Sequence, residues 1–167
     1  MIARKIMLLG DIGVGKSSIA RRLVFDDFDA SYKPTLGVDI YSYQTEPGPH
    51  PGARAKFVIW DTDGNLGDSI FSLVYVRHAA AALVVGDLTR HATLESMVEI
   101  GRNFMQAMPG RYCSFVMNKS DMACESINLP AQVAQLAIPT IRTSAKTGEN
   151  IKHAFLEAAD AIRRRGF

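Results

Sequence analysis

A chain of 167 residues with 19 Lys and Arg against 17 Asp and Glu carries a net charge of only +2, too weak an excess to argue for nucleic acid as a partner. Its composition, 47% hydrophobic and 22% charged, excludes a disordered chain, and its length suits one domain, residues 1–167, with a sizeable core. No apolar run approaches the ~20 residues that cross a bilayer. A cytoplasmic monomer is the expectation.

The opening MIARKIMLLGD has a basic start and a short apolar stretch, but Asp11 ends that stretch too soon for a signal peptide. It reads as a buried first strand. Along the chain, KIMLL, VDIYSY, AKFVIW, AAALVV, SFVM and PTI are expected as strands. Helices are expected over 17–25, 93–108, 129–136 and 149–165, with a short one after Asp68. The proline- and glycine-rich EPGPHPGAR, 46–54, reads as the tip of a hairpin joining the second and third strands. The alternation predicts an α/β fold: a six-stranded, mostly parallel sheet with one antiparallel edge strand and helices on both faces. Ligands of such sheets sit at the carboxyl ends of the strands, where every motif below falls.

Two cysteines, Cys113 and Cys124, lie outside any CxxC pattern, which suits reduced thiols and gives no metal signal. The four histidines are isolated, and packing or solvation accounts for each. Residue 2 is Ile and the tail IRRRGF lacks cysteine, so no covalent lipid anchor is expected and membrane contact would be indirect at most.

GDIGVGKS, Gly10 to Ser17, fits G-x-x-x-x-G-K-[ST] between a strand and a helix, the signature of a P-loop NTPase. Backbone N–H groups of Gly13, Val14 and Gly15 can turn inward around phosphate oxygens, and the helix beginning near Lys16 aims its positive end at the same anion. Lys16 supplies a point charge and Ser17 a hydroxyl for Mg²⁺.

That cradle is blind to the base. NKSD, Asn118 to Asp121, follows the strand SFVM, and the Asp121 carboxylate can accept from both N1–H and the 2-amino group of guanine. Asn118 would brace the surrounding loops and the Lys119 stem would lie over the ring. In TSAK, Thr143 to Lys146, the Ala145 N–H can donate to guanine O6 with Lys146 covering the other face. WDTDG ends a strand with Asp61, placed to hold Mg²⁺ opposite Ser17, while Thr35 in YKPTLGVD offers a further hydroxyl ligand. The N–H groups of Thr35 and Gly64 can each bond a γ-phosphate, so losing that group would release both loops.

Together these stretches resemble the Ras superfamily of small GTPases over nearly the whole chain. TLGVD, IWDTDG and YVRHA look like the Rab branch, whose usual wording is close to TIGVDF, WDTAGQ and YYRGA. The resemblance implies GTP or GDP with Mg²⁺ as ligands, and an effector protein bound through segments 28–40 and 63–76, together with an exchange factor and an activating protein. It implies that Phe28 packs beside guanine, that Tyr32 closes over the phosphates, and that Ser18 and Ser144 join the nucleotide set. Lys16, Thr35, Gly64 and Asn65 would be the catalytic group. Tyr43, Trp60 and Tyr75 resemble the Rab aromatic triad of the partner face; for Tyr43, half-buried core packing is an equal reading.

Four positions depart from the family. Asn65 stands where glutamine usually orients the attacking water, and its amide falls roughly 1.5 Å short. Misplacement on that scale costs on the order of 10²-fold. Ile12 replaces Gly or Ser and would crowd both that residue and an arginine finger, worth roughly 10³–10⁵ in rate in Ras, itself of this superfamily. Asp63, in place of alanine, either repels the γ-phosphate or gathers Mg²⁺. The prenyl cysteine is missing, and arginines 163–165 read better as a solvated helix end than as a contact for an acidic surface. The expectation is a slow GTPase switch; the alternative is a scaffold that binds GTP or GDP with negligible hydrolysis. An ATP-using kinase is disfavoured, because adenine offers Asp121 no pair of donors.

Overall fold

The computed structural model describes residues 3–31, 33–45, 54–64, 75–123 and 127–166. The order is β1 (Ala3–Leu9), α1 (Lys16–Phe25), β2 (Val38–Gln44), β3 (Lys56–Thr62), β4 (Ala79–Asp87), α2 (His91–Ala107), β5 (Tyr112–Asn118), α3 (Ala131–Gln135), β6 (Thr140–Arg142) and α4 (Ile151–Arg164). A single 3₁₀ turn, Ser120–Met122, follows β5.

The six strands form one sheet in the order β2-β3-β1-β4-β5-β6. β2 runs antiparallel to β3 at the edge, and the other pairs are parallel. Because helices cover both faces, the inner strands read as continuous apolar runs rather than alternating ones. All nine residues of β4 are buried. Their side chains nevertheless divide by period two: Ala81, Leu83 and Val85 join Ile6 and Leu8 under α1 and α4, while Ala82 and Val84 join Met7 and Leu9 under α2. Phe57 and Phe155 anchor the first layer, Phe104 and Phe115 the second, all fully buried.

Three helix starts differ from expectation by two residues, each for a local reason. Pro130 sits extended before α3 and disfavours helix in the residue preceding it, so only five residues of the expected 129–136 are helical. Asn150 takes a left-handed φ of 55° and delays α4 to Ile151. α2 begins two residues early, directly after an extended Arg90. The short helix expected after Asp68 and the hairpin tip at 46–53 lie outside the described residues. The β2–β3 antiparallel pairing that the tip implied is present from Val38↔Thr62 to Gln44↔Lys56.

Strand order reverses direction about β1, with β3 and β2 laid down on one side of it and β4, β5 and β6 on the other. A crevice opens at such a point beyond the carboxyl ends of the strands. The site lies there.

Candidate functional site

Four strand ends meet at one cleft of about 580 Å³. Its floor is the turn between β1 and α1. Gly15 adopts φ 103°, and a β-carbon on it would stand 2.3 Å from Asn118 Nδ2, so only glycine lets the turn close against the β5 end. α1 then begins at Lys16 with no side-chain cap on its first N–H groups. An uncapped helix start beside a glycine turn is a place for an anion.

Gly13, Gly15, Lys16, Ser17 and Ser18 all line the cleft. Val14 is not among the lining residues, and its side chain is buried in the layer under α1. Lys16 is almost wholly buried, and its Nζ donates to Gly10 O and Asp11 O, both at 2.8 Å. Burial brings its pKa down to about 8 against the pull of Asp61, Asp11 and Asp63. Asp63 therefore lies close enough for its charge to favour the ammonium.

The Ser17 hydroxyl lies 2.8 Å from Thr35 Oγ1 and donates to Asp61 Oδ2 at 2.5 Å. Asp61 is fully buried at the end of β3, and its Oδ1 has no hydrogen-bond partner among the described residues. Desolvation pushes its pKa up to about 6, opposed by the Ser17 bond and by Lys16. A buried carboxylate oxygen left without a donor, beside two hydroxyl oxygens, is an all-oxygen set that suits a hard divalent cation. The residues expected to hold Mg²⁺ fit it.

On the next loop, Gly64 lies so close to the glycine turn that a β-carbon would meet Ile12 N at 2.3 Å. The Asp63 N–H donates to Gly37 O at 2.8 Å, which ties the loop after β3 to the loop before β2. Ile12 lines the cleft and is 44% exposed. Asn65 and Tyr32 lie outside the described residues.

At the other end, Phe28, Asn118, Lys119, Asp121, Ala145 and Lys146 line the same cleft. Asn118 is buried and braces three segments: its Nδ2 donates to Val14 O at 3.0 Å, and its Oδ1 accepts from the Ala145 N–H at 3.1 Å and Thr143 Oγ1 at 3.3 Å. The Ala145 N–H expected for a base oxygen is thus engaged by Asn118, because a buried donor takes the nearest acceptor. Ser144 does not face the cleft. Its hydroxyl donates to Asp121 Oδ1 at 2.6 Å and so aims the carboxylate.

The expected aromatic triad is split. β2 residues alternate between faces, and Tyr43, opposite Phe57, packs in the layer under α1 and α4. Trp60 and Tyr75 pack together on the other face, edge to face at 6.1 Å. The β2 residue beside Trp60 is Ile40, an odd number of positions from Tyr43. Lys5 completes that group, with Nζ 3.6 Å from the Trp60 ring and donated bonds to the Tyr75 and Arg77 carbonyls.

Three site residues escaped the sequence reading. Buried Asp87, at the end of β4, accepts from Lys119 Nζ at 2.7 Å, Arg90 Nε at 3.0 Å and Thr89 Oγ1 at 2.6 Å. Burial opposes its charge, but these donors hold its pKa below the usual carboxylate value. Arg22 on α1 clasps the loop after β6 through the Ala145 and Lys146 carbonyls. One signal was available: an acid closing the nine-residue run AAAALVVGD at a carboxyl edge must find cations.

The Ras family model matches residues 5–164. Ras-related protein Rab-22A of Homo sapiens is 33% identical, with 95% of this chain and 82% of that protein aligned. Ras-related protein RABF2a of Arabidopsis thaliana is 34% identical over 98% of this chain and 82% of its own length. GTP-binding protein YPT53 of Saccharomyces cerevisiae is 35% identical over 95% and 76%.

Proposed function

The chain belongs to the Ras family as a Rab-like small GTPase, a switch that binds GTP or GDP and hydrolyses GTP, and we propose that residues 1–167 form one G domain whose β1-end cleft holds the nucleotide. One observation carries this assignment of residues: Lys16 and Ser17 from the turn after β1 and Asp121 from the loop after β5 line one and the same cleft. An anionic tail and a purine ring are then gripped by separate loops. Asp121, aimed by Ser144, accepts from N1–H and the 2-amino group of guanine, while Phe28 and the stems of Lys119 and Lys146 flank the ring. Gly13, Val14 and Gly15 offer their N–H groups to the phosphates, with Lys16 and Ser18 beside them; Tyr32, outside the described residues, is the side chain that the family resemblance assigns to close over them.

Ser17, Thr35 and Asp61 would hold Mg²⁺, which when bound neutralises charge on the outer phosphates. Thr35 and Gly64 donate N–H groups to the γ-phosphate. The Asp63–Gly37 bond already joins their two loops, so release of one loosens the other. Hydrolysis is slow, because Ile12 narrows the cleft and asparagine stands at position 65 in place of the family's usual water-orienting glutamine.

The effector face covers 28–40 and 63–76. Leu36, 87% exposed, and Ile40, 58% exposed beside Trp60, give it apolar anchors. An exchange factor and an activating protein act on the same loops, and the chain works as a cytoplasmic monomer. No described helix is long and apolar enough to cross a membrane.

The test is nucleotide analysis of the purified chain, followed by competition of bound labelled GTP with unlabelled GTP and ATP. Co-purified guanine nucleotide displaced only by GTP supports the assignment. Displacement by ATP at equal concentration contradicts it.

A further inference from the structure

Three consecutive peptide units of the glycine turn are each held from outside by a side-chain donor. The Val14 carbonyl accepts from Asn118 Nδ2 at 3.0 Å, and the Gly13 carbonyl from Lys119 Nζ at 3.0 Å. The Ile12 carbonyl accepts from Arg90 Nη2 at 2.8 Å. Arg90 follows β4 and precedes α2, 78 residues away in sequence. Its Nε is fixed by Asp87 at 3.0 Å, on the same carboxylate oxygen that holds Lys119 at 2.7 Å.

Every peptide bond described here is trans. In a planar trans unit the C=O and the following N–H point in opposite directions. Pulling the carbonyls of Ile12, Gly13 and Val14 outward therefore turns the N–H groups of Gly13, Val14 and Gly15 the other way, toward the cleft. That is how successive main-chain donors form an anion-binding concavity.

We propose that Arg90 is a positioning residue for nucleotide binding: by clamping the Ile12–Gly13 peptide against Asp87, it aims the Gly13 N–H at the phosphates. The inference rests on the assignment of the cleft to a guanine nucleotide. Asp87 thereby couples the phosphate turn to the base-reading loop, since one carboxylate orders both Arg90 and Lys119. Arg suits the task because its planar fork donates from Nε and Nη2 to two acceptors at once, which an ammonium on a flexible stem does less well.

The experiment loads the full chain with fluorescently labelled GDP and follows release after excess unlabelled GDP, for wild type, Arg90→Ala and Arg90→Lys. Equilibrium affinities for GDP and inosine diphosphate, which lacks the 2-amino group, are measured alongside. Losing a charge-assisted bond that orders a phosphate donor should speed GDP release by about 10-fold or more in Arg90→Ala. Arg90→Lys should fall between Ala and wild type. The GDP to inosine diphosphate ratio should stay within about twofold of wild type, because Asp121 is untouched. An Arg90→Ala chain that releases GDP at the wild-type rate overturns the inference alone. So does a ratio that collapses together with affinity, which marks general loosening, or a Lys variant no better than Ala. A wild-type chain that binds no GDP overturns the functional assignment and this inference with it.

Discussion

The Ser17 hydroxyl donates to Asp61 Oδ2 at 2.5 Å, tying the first turn of α1 to the end of β3 across 44 residues. The other Asp61 oxygen is buried without a partner among the described residues. Together they make Asp61 a costly residue in the nucleotide-free chain and a useful one when a cation is present.

That cost has a sign that pH can read. Burial raises the Asp61 pKa from 3.8 to about 6, so between those values the folded chain keeps a proton the unfolded chain has lost. Its contribution to stability is full below the unfolded value and is lost as pH rises through 6. Asp61→Asn should therefore stabilise the nucleotide- and metal-free chain at pH 7.5 by about 1–3 kcal/mol, with little change near pH 4. It should also abolish the Mg²⁺-dependent tightening of nucleotide. Urea unfolding in EDTA at the two pH values checks the first claim, and nucleotide release with and without Mg²⁺ checks the second.

Gly64 is packed too tightly against the turn to carry a side chain. A β-carbon would stand 2.3 Å from Ile12 N and 2.6 Å from Asp11 C, both backbone atoms that cannot rotate away. Gly64→Ala should displace the loop and cost the chain its γ-phosphate contact. GTP affinity should fall by on the order of 10²-fold while GDP affinity changes by less than about tenfold. Equal losses for the two nucleotides would contradict the role given to this loop.

Much of the framework was legible because its signals are local. Strand–helix alternation, the glycine turn and the order of NKSD and TSAK along the sheet each depend on a few neighbouring residues. What the sequence hid depends on register or on partners far away in the chain. Tyr43 and Ile40 are three residues apart on one strand, so only the pairing of β2 with β3 decides which of them meets Trp60. Ala145 has a free-looking N–H until β5 brings Asn118 beside it. Asp87 shows in the sequence only as an acid ending an apolar run, and Arg90 carries no motif of its own; their partners become visible only when β4 and the β1 turn are adjacent.

Hydrolysis by the wild-type chain should be slow. Ile12 stands in the cleft wall, and Asn65 is a methylene short of the residue that usually orients water. Under single turnover, Asn65→Gln alone should change the rate by less than about threefold. With Ile12→Gly added, the rate should rise by on the order of 10²-fold. A full acceleration from Asn65→Gln without the second change would show that Ile12 does not crowd the site.

The most direct measurement concerns Asp121, on which the choice of guanine rests. Its carboxylate lines the cleft and is aimed by the Ser144 hydroxyl. In Asp121→Asn the reader becomes one acceptor and one donor, which no longer matches two guanine donors but does match the N1–H and 2-oxo group of xanthine. Equilibrium binding of GDP and xanthosine diphosphate should reverse in preference, by roughly 10²-fold or more, since each mismatched bond to a charged group costs about 1.5–3 kcal/mol. An Asn variant that keeps the wild-type preference for GDP would contradict the account.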